Sequence, residues 1–280
     1  MPWSFADKSS TRTLGPRTGR VVTGLYERRR PLFSLRDVRD ITGASVRAAQ
    51  SITARLVRNG IATRLKPGLF ILIPFELGSE RQYFGNPYLV ARELVRPERY
   101  YLSHASAMDI HGMTTQPQLV VFITTTQSHR PRTILGTEFR FVRCQVRHFF
   151  GVADSWVDKT EQVAVSDPER TIIDGLREPA YCGGLTEVTK GFWIKRNLVN
   201  IQTLVSYALR LNVVAVMARL GFLVETLGIM APFELDQLRS RLTKSYHLLD
   251  PSLPKEGRYL ARWRLQLNVN PDELLAVRGT

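Results

Sequence analysis

The segment Ser45–Gly60, SVRAAQSITARLVRNG, constrains the fold most strongly, because at helical spacing its residues divide into an apolar set and a basic set. At about 100° per residue, one side of a helix carries Val46, Ala49, Ile52, Thr53 and Leu56, with Val57 at its margin. The opposite side carries Arg47, Ser51, Ala54, Arg55 and Arg58. Ser45 is a suitable cap and Gly60 a suitable stop. We therefore expect a helix that packs through one face and presents arginines on the other.

Two helices are predicted before this segment and a β-hairpin after it. The first helix spans Gly19–Arg29, and the second begins after a Ser34 cap and ends at Gly43. The hairpin turns at Pro67-Gly68, a pair that favours a type II turn, and its two strand-like runs are Ile61–Leu65 and Leu69–Ile73. Three helices followed by a hairpin with a basic tip is the order of a winged helix-turn-helix, whose third helix enters the DNA major groove.

The positive charge of the chain is concentrated near its start. The 280 residues carry a net charge of +14. Residues 1–73 contain fourteen Lys and Arg but only four Asp and Glu, whereas the other 207 residues contain 25 basic and 21 acidic residues. This distribution indicates an acidic partner, with nucleic acid favoured over an anionic membrane surface.

The remaining composition favours a cytoplasmic protein. The chain has no apolar run close to the roughly 20 residues that span a bilayer, and its first residues lack the apolar core of a secretory signal. Cys144 and Cys182 belong to no paired motif, so we expect two reduced thiols.

The residues predicted to contact DNA are Ser45, Arg47, Gln50, Ser51, Ala54, Arg55, Arg58, Arg64 and Lys66. Arg47 and Ser51 are candidates for base edges, because arginine bonded to guanine is the commonest specific contact. Ala54 permits close approach or contact with a thymine methyl group. Phosphate contacts, which position a protein without reading sequence, are assigned to Arg55, Arg58, Arg64 and Lys66. The alternative is a small helical domain whose arginines only solvate its surface.

The predicted fold class is α+β, with three parts. Residues 1–18 form a flexible basic arm whose Arg12 and Arg17 either reach a minor groove or remain solvated. Residues 19–75 form the winged helix-turn-helix, and residues 86–280 form a larger mixed α/β domain. In that domain we expect strands at Leu119–Thr125, Glu138–Val142 and Gln145–Phe149 and near the end of the chain, and helices at Pro87–Val95, after Ser103, after Asp167, and at Ile201–Leu211, Val213–Leu227 and Glu234–Leu242.

A search of the larger domain for catalytic chemistry predicts no enzyme, cofactor or metal site. His104 and His111 are seven residues apart, which is not the spacing of paired zinc ligands on a helix. Ser103 lies beside His104, but no G-x-S-x-G elbow accompanies it. Glu169 and Asp174 are explained by the start of a helix capped by Asp167.

Several stretches, in this order along the chain, together resemble the AbiEi family of bacterial antitoxins, which are transcriptional regulators of abortive-infection systems. They are LKPGLFILIP, YLSHASAMDIHGM, VSDPERTIIDGL, ARLGFLVETLG and YHLLDPSLPKEGRYLARWRLQLNVN, and the resemblance covers nearly all of residues 19–270. It implies a toxin–antitoxin system in which the winged helix binds inverted repeats in its own promoter and represses the operon. It also implies that residues 86–280 neutralise a cognate nucleotidyltransferase-type toxin, by a mechanism that stays open.

Two alternatives belong to other classes. One is a winged-helix transcriptional regulator whose second domain senses a small molecule. The other is an enzyme that covalently modifies the toxin. Neither alternative involves a membrane, and the leading hypothesis, a DNA-binding antitoxin and repressor, requires only promoter DNA and the toxin as partners.

Overall fold

The computed structural model describes residues 14–77, 80, 82–116, 118–159 and 161–279, and the chain divides into two compact units after Glu93. The fold is mixed α+β, as predicted. The predicted arm residue Arg12 lies outside the described residues. Among the residues described, no helix has both the length and the apolar composition needed to cross a membrane.

The first unit contains helices and short strands in the order α1 (Pro16–Glu27), β1 (Leu32–Ser34), α2 (Leu35–Thr42), α3 (Val46–Arg58), β2 (Ala62–Lys66) and β3 (Leu69–Leu72), and α4 (Pro87–Val95) crosses the boundary. Helix α1 begins at Pro16, earlier than predicted, because proline fits the first helical position. Arg17 therefore lies on this helix rather than on an arm.

The boundaries of α2 and α3 confirm the sequence prediction. Ser34 and Asp37 form a reciprocal capping box at the start of α2, and Gly43 ends that helix with a left-handed φ of 67°. Ser45 caps α3 by accepting a hydrogen bond from the Ala48 N–H, and Gly60 follows its end with φ of 64°. The turn between the two helices therefore uses the residues that the sequence assigned to it.

The apolar face of α3 packs largely as predicted. Ala49, Thr53 and Leu56 are buried, and Ile52 and Val57 are partly buried against the same cluster. Burying a leucine of this kind contributes about 1.5–3 kcal/mol. The rest of the cluster comes from α1, α2 and the three strands, and includes Val21, Val22, Leu25, Phe33, Val38, Phe70 and Leu72.

The predicted assignment of Val46 to this packed face is wrong, because its side chain is 49% exposed. Val46 is the first residue of α3, beyond the reach of the core cluster.

The sheet of the first unit has a strand that the sequence did not reveal. Its order is β1–β3–β2, and both pairings are antiparallel. The predicted hairpin is β2 and β3, with Gly68 at φ of 80° in the turn. Strand β1 adds to the far edge of β3, where the Phe33 and Phe70 rings stack with centroids 5.6 Å apart.

The second unit is built on a six-stranded mixed sheet of order β6–β7–β5–β4–β9–β8. Its strands are β4 (Tyr100–Leu102), β5 (Val120–Thr125), β6 (Arg132–Ile134), β7 (Thr137–Arg143), β8 (Val152–Trp156) and β9 (Gln162–Ser166), with α5 (His104–Ile110) after β4. Strand β5 pairs parallel with β7 and β4 parallel with β9, whereas the other pairs are antiparallel.

A helical layer follows the sheet in sequence. It comprises α6 (Pro168–Arg177), α7 (Leu185–Lys195), α8 (Ile201–Leu211), α9 (Val214–Thr226) and α10 (Pro232–Arg239), then a small sheet of β10 (His247–Leu248), β11 (Arg258–Leu260) and β12 (Leu265–Leu267), and α11 (Pro271–Ala276). Trp263 is fully buried in the core of this layer, against Gly221 of α9.

The predicted strand at Gln145–Phe149 is wrong. The Cys144 N–H still donates to the Thr125 carbonyl at 2.9 Å, but the chain then turns in a 3₁₀ segment, Val146–His148, with no strand partner among the described residues. Helices α7 and α11 and strands β4, β6, β8 and β9 were not predicted. Cys144 and Cys182 are free and buried, as expected.

Candidate functional site

The outward face of α3 brings together most of the residues predicted to contact DNA. Seven of the nine predicted residues lie on this helix or cap it, and all seven are exposed to solvent: Ser45, Arg47, Gln50, Ser51, Ala54, Arg55 and Arg58. They form a single face because the opposite side of the helix is fixed in the core by Ala49 and Leu56. At 1.5 Å per residue, this face extends about 16 Å from Arg47 to Arg58.

The three arginines of this face are available to a partner. Among the described residues, Arg47, Arg55 and Arg58 make no side-chain hydrogen bond or salt bridge. The neighbouring helix differs, since Arg36 lies 3.9 Å from Asp40, and Arg30 bonds Asp37 at 3.0 Å. Within the part of the chain that the structure describes, no acidic side chain therefore neutralises the basic face of α3.

Asp37, in the helix before α3, is used for local structure. Burial alone would raise the pKa of Asp37, but hydrogen bonds from Ser34 and the charge of Arg30 outweigh it and lower that pKa. The Asp37 carboxylate accepts hydrogen bonds from the Ser34 backbone N–H and hydroxyl at 2.7 Å. Asp37 therefore stabilises the helix before α3 rather than competing for the arginines.

The hairpin residues predicted to contact phosphate have different surroundings. Arg64 is exposed on β2, opposite Phe70 of β3, and a register shift in the pairing separates it from Lys66. The Lys66 ammonium is partly buried and donates to the Glu93 carbonyl at 3.1 Å. Lys66 therefore has an internal partner that the sequence did not reveal, and Arg64 is the more accessible cation.

Val46 is an exposed residue at the edge of this face that sequence reasoning placed in the core. It precedes Arg47 in the first turn of α3. Its position directly after the capping serine was the available signal, because a first-turn residue projects from the end of a helix. An apolar side chain at this position is suited to contact a base methyl group.

The second unit does not assemble the catalytic clusters that were considered. His104 is buried at φ of 51°, its Nδ1 lies 2.8 Å from the Ser103 hydroxyl oxygen, and burial lowers its pKa to about 4. Ser103 and Ser106 are both fully buried, so neither faces a substrate. His111 contacts the Ser166 carbonyl through Nε2 at 2.6 Å. Within the described part of the chain, no cluster of His, Cys, Asp and Glu is suited to a metal ion.

Asp167 and Glu169 have structural partners. Asp167 caps α6 by accepting from the Arg170 N–H at 2.7 Å, and its second oxygen accepts from the Tyr207 hydroxyl. Glu169 accepts from the Asn200 N–H at 2.7 Å. The Asp167 bond confirms the prediction that this residue caps the helix, whereas the same prediction for Asp174 is wrong, because its carboxylate pairs with the buried Arg170.

A buried ionic network in the second unit was not predicted. Arg170 is 1% exposed; its Nε and Nη2 lie 3.0 and 2.9 Å from one Asp174 oxygen, and its Nη2 also donates to the Tyr101 hydroxyl. The Arg170 guanidinium stacks over Phe150, 4.3 Å from the ring centroid. Burial would lower the pKa of Arg170, but the charge of Asp174 raises it above its ordinary value.

The chain matches no family model and no curated protein. Among solved structures, the chain is similar to the crystal structure of RV2827C protein from Mycobacterium tuberculosis. The two share 17% sequence identity, the match covers 98% of each chain, and the TM-score is 0.72. At this identity the similarity concerns the fold alone.

Proposed function

We propose that the first unit is a winged helix-turn-helix that binds DNA through α3. The observation that carries this proposal is the unneutralised basic face of that helix, with Arg47, Arg55 and Arg58 exposed and without salt bridges among the described residues. Its length of about 16 Å corresponds to several base pairs at 3.4 Å each. An α-helix of ordinary diameter fits the major groove.

The exposed residues divide by position into two roles. Arg47 and Ser51 lie in the amino-terminal half of α3, the part of a recognition helix that reads base edges in helix-turn-helix proteins. Arg55 and Arg58 lie in its last turn and Arg64 lies on the hairpin, where they are suited to phosphate oxygens. The hydrogen bond from Lys66 to Glu93 makes its contribution to phosphate binding smaller than that of Arg64.

We further propose that the protein is an antitoxin that represses its own operon. The ordered motifs shared with the AbiEi family support this proposal, together with the basic face of α3. In this proposal the second unit neutralises a nucleotidyltransferase-type toxin. The partners are then promoter DNA with inverted repeats and the toxin.

The DNA-binding proposal is tested by footprinting the DNA upstream of the gene with the full-length protein. We expect protection of an inverted repeat and affinity that falls steeply with salt. Three phosphate contacts per copy, from Arg55, Arg58 and Arg64, predict a slope of log K against log salt of about −2.7 for each bound copy. Absence of protection at moderate salt would contradict the repressor role.

The antitoxin proposal is tested by co-expressing the full-length protein with the product of the adjacent gene. A variant with Arg47, Arg55 and Arg58 replaced by alanine is expected to lose operator binding but still restore growth. Failure of the unaltered protein to restore growth would contradict neutralisation, whatever the outcome of the footprint. The two proposed activities are therefore tested separately.

A further inference from the structure

The second unit contains a basic cavity of about 250 Å³ between the six-stranded sheet and α6. This volume is just below the range of about 300–1,000 Å³ that is typical of pockets for drug-sized ligands. Three guanidinium groups line it, those of Arg143, Arg170 and Arg177, together with the carboxylates of Asp174 and Glu178. The exposed Arg143 and Glu178 lie where the cavity meets solvent.

Arg170 is the fixed element of this cavity. Its Nε and Nη2 are held by Asp174 and Tyr101, and stacking over the Phe150 ring restricts the orientation of the guanidinium. Its Nη1 is fully buried and has no hydrogen-bond partner among the described residues. Because solvent does not reach this nitrogen, Arg170 borders the cavity but has no donor open to a ligand in it.

Arg143 and Arg177 place two further guanidiniums at the same cavity. Neither makes a side-chain hydrogen bond or salt bridge within the described residues. The charges of Arg170 and Arg177 also help to lower the pKa of His148, after its burial, and they oppose the rise that burial causes in the pKa of Cys144. The lining of the cavity carries a net positive charge, with three guanidiniums and two carboxylates.

The two carboxylates do not cancel this potential. Asp174 is already neutralised by Arg170 and accepts a further hydrogen bond from Tyr101 at 3.2 Å. Glu178 is exposed, and its charge also acts on the buried Arg219. His104, at another wall, is neutral near pH 7 because burial lowers its pKa to about 4. The guanidiniums of Arg143 and Arg177 are left for a ligand.

We propose that this cavity binds the phosphate group of a small phosphate monoester. A doubly charged oxyanion offers acceptors to both Arg143 and Arg177, and arginine forks match phosphate geometry. The size of the cavity restricts the organic part to a compact group. This site is independent of DNA binding by the first unit, because every residue that lines it belongs to the second unit.

The test is isothermal titration of the full-length protein with inorganic phosphate, glycerol 3-phosphate and a dinucleotide phosphodiester, at constant ionic strength. We expect saturable binding of the first two and weaker binding of the diester, which carries a single charge. Arg143→Gln and Arg177→Gln are each expected to weaken phosphate binding about ten-fold or more, as for loss of a charge-assisted hydrogen bond. Circular dichroism verifies that these variants keep their fold.

The matched control is Arg132→Gln, which removes the same charge from an exposed position on β6 of the same unit. It is expected to change binding less than two-fold. An equal effect of Arg132→Gln would identify non-specific attraction to a basic protein and overturn the proposal. Absence of saturable phosphate binding, or diester binding as tight as monoester binding, would also overturn it.

Discussion

Replacing Asp174 by asparagine should be strongly destabilising, although the two side chains have nearly the same shape. The change leaves an acceptor for the Tyr101 hydroxyl but removes the charge that balances Arg170, which is 1% exposed. The Nε and Nη2 of Arg170, which lie 3.0 and 2.9 Å from one Asp174 oxygen, then face a neutral amide. Removing one partner of a buried ion pair costs about 3–5 kcal/mol, so we expect Asp174→Asn to lose that much stability.

The assay is urea denaturation followed by tryptophan fluorescence, because Trp263 is buried in the core of the second unit and reports its unfolding. The exposed pair Arg140–Glu138 supplies the control, and Glu138→Gln should cost at most about 1 kcal/mol.

The double variant Arg170→Met with Asp174→Leu should recover much of the loss, since an apolar pair of similar volume avoids desolvating two charges. If Asp174→Asn costs no more than Glu138→Gln, the reasoning is refuted.

Three further predictions concern stability. Gly221→Ala should lose about 1–3 kcal/mol of stability, because its Cβ would lie 2.1 Å from a ring carbon of Trp263. Gly19→Ala, whose Cβ would have no atom within 4 Å, should instead gain about 0.5–1 kcal/mol. Urea denaturation of the two variants compares these changes. His104 has a pKa of about 4 when folded and about 6.5 when unfolded, so the unfolded chain binds more protons between these values. The preference of the neutral His104 side chain for the folded state should therefore be complete above pH 6.5 and decrease as the pH drops toward 4. Denaturation at several pH values should show a smaller fall in the free energy of unfolding for His104→Gln than for the unaltered protein. Ser34→Ala removes the acceptor for the Asp37 N–H and should cost about 1 kcal/mol, measured by thermal denaturation.

The first unit could be predicted well from sequence because its signals are local. Ser34, Gly43, Ser45 and Gly60 lie next to the helix ends that they determine, and the stripe that includes Leu56 is read within one helix. The free face of α3 follows from the same periodicity. Strand β1 was missed because three residues are too few to establish alternation, and its pairing with β3 involves residues nearly forty positions away.

The interior of the second unit could not be predicted, because its polar contacts join distant residues. Arg170 bonds Tyr101 across 69 positions, and no local pattern indicates that pairing. Arg219 is buried and donates to the carbonyls of Leu176 and Leu248, which lie 43 and 29 positions away. Burial lowers the pKa of Arg219 to about 10. In the sequence, nothing distinguishes this arginine from the others, since it simply occurs within an apolar helix.

The most direct test of the central claim compares Arg47→Ala and Arg58→Ala in the full-length protein, on its own upstream DNA and on unrelated DNA over a range of salt. Arg132→Gln, in the second unit, removes the same charge as a control. Arg47→Ala should cost about 1–3 kcal/mol on the upstream repeat and little on unrelated DNA. Arg58→Ala should weaken binding to both DNAs alike and reduce the salt slope by about one. If both variants bind like the control, α3 is a packing helix whose arginines only face solvent, and the account is contradicted.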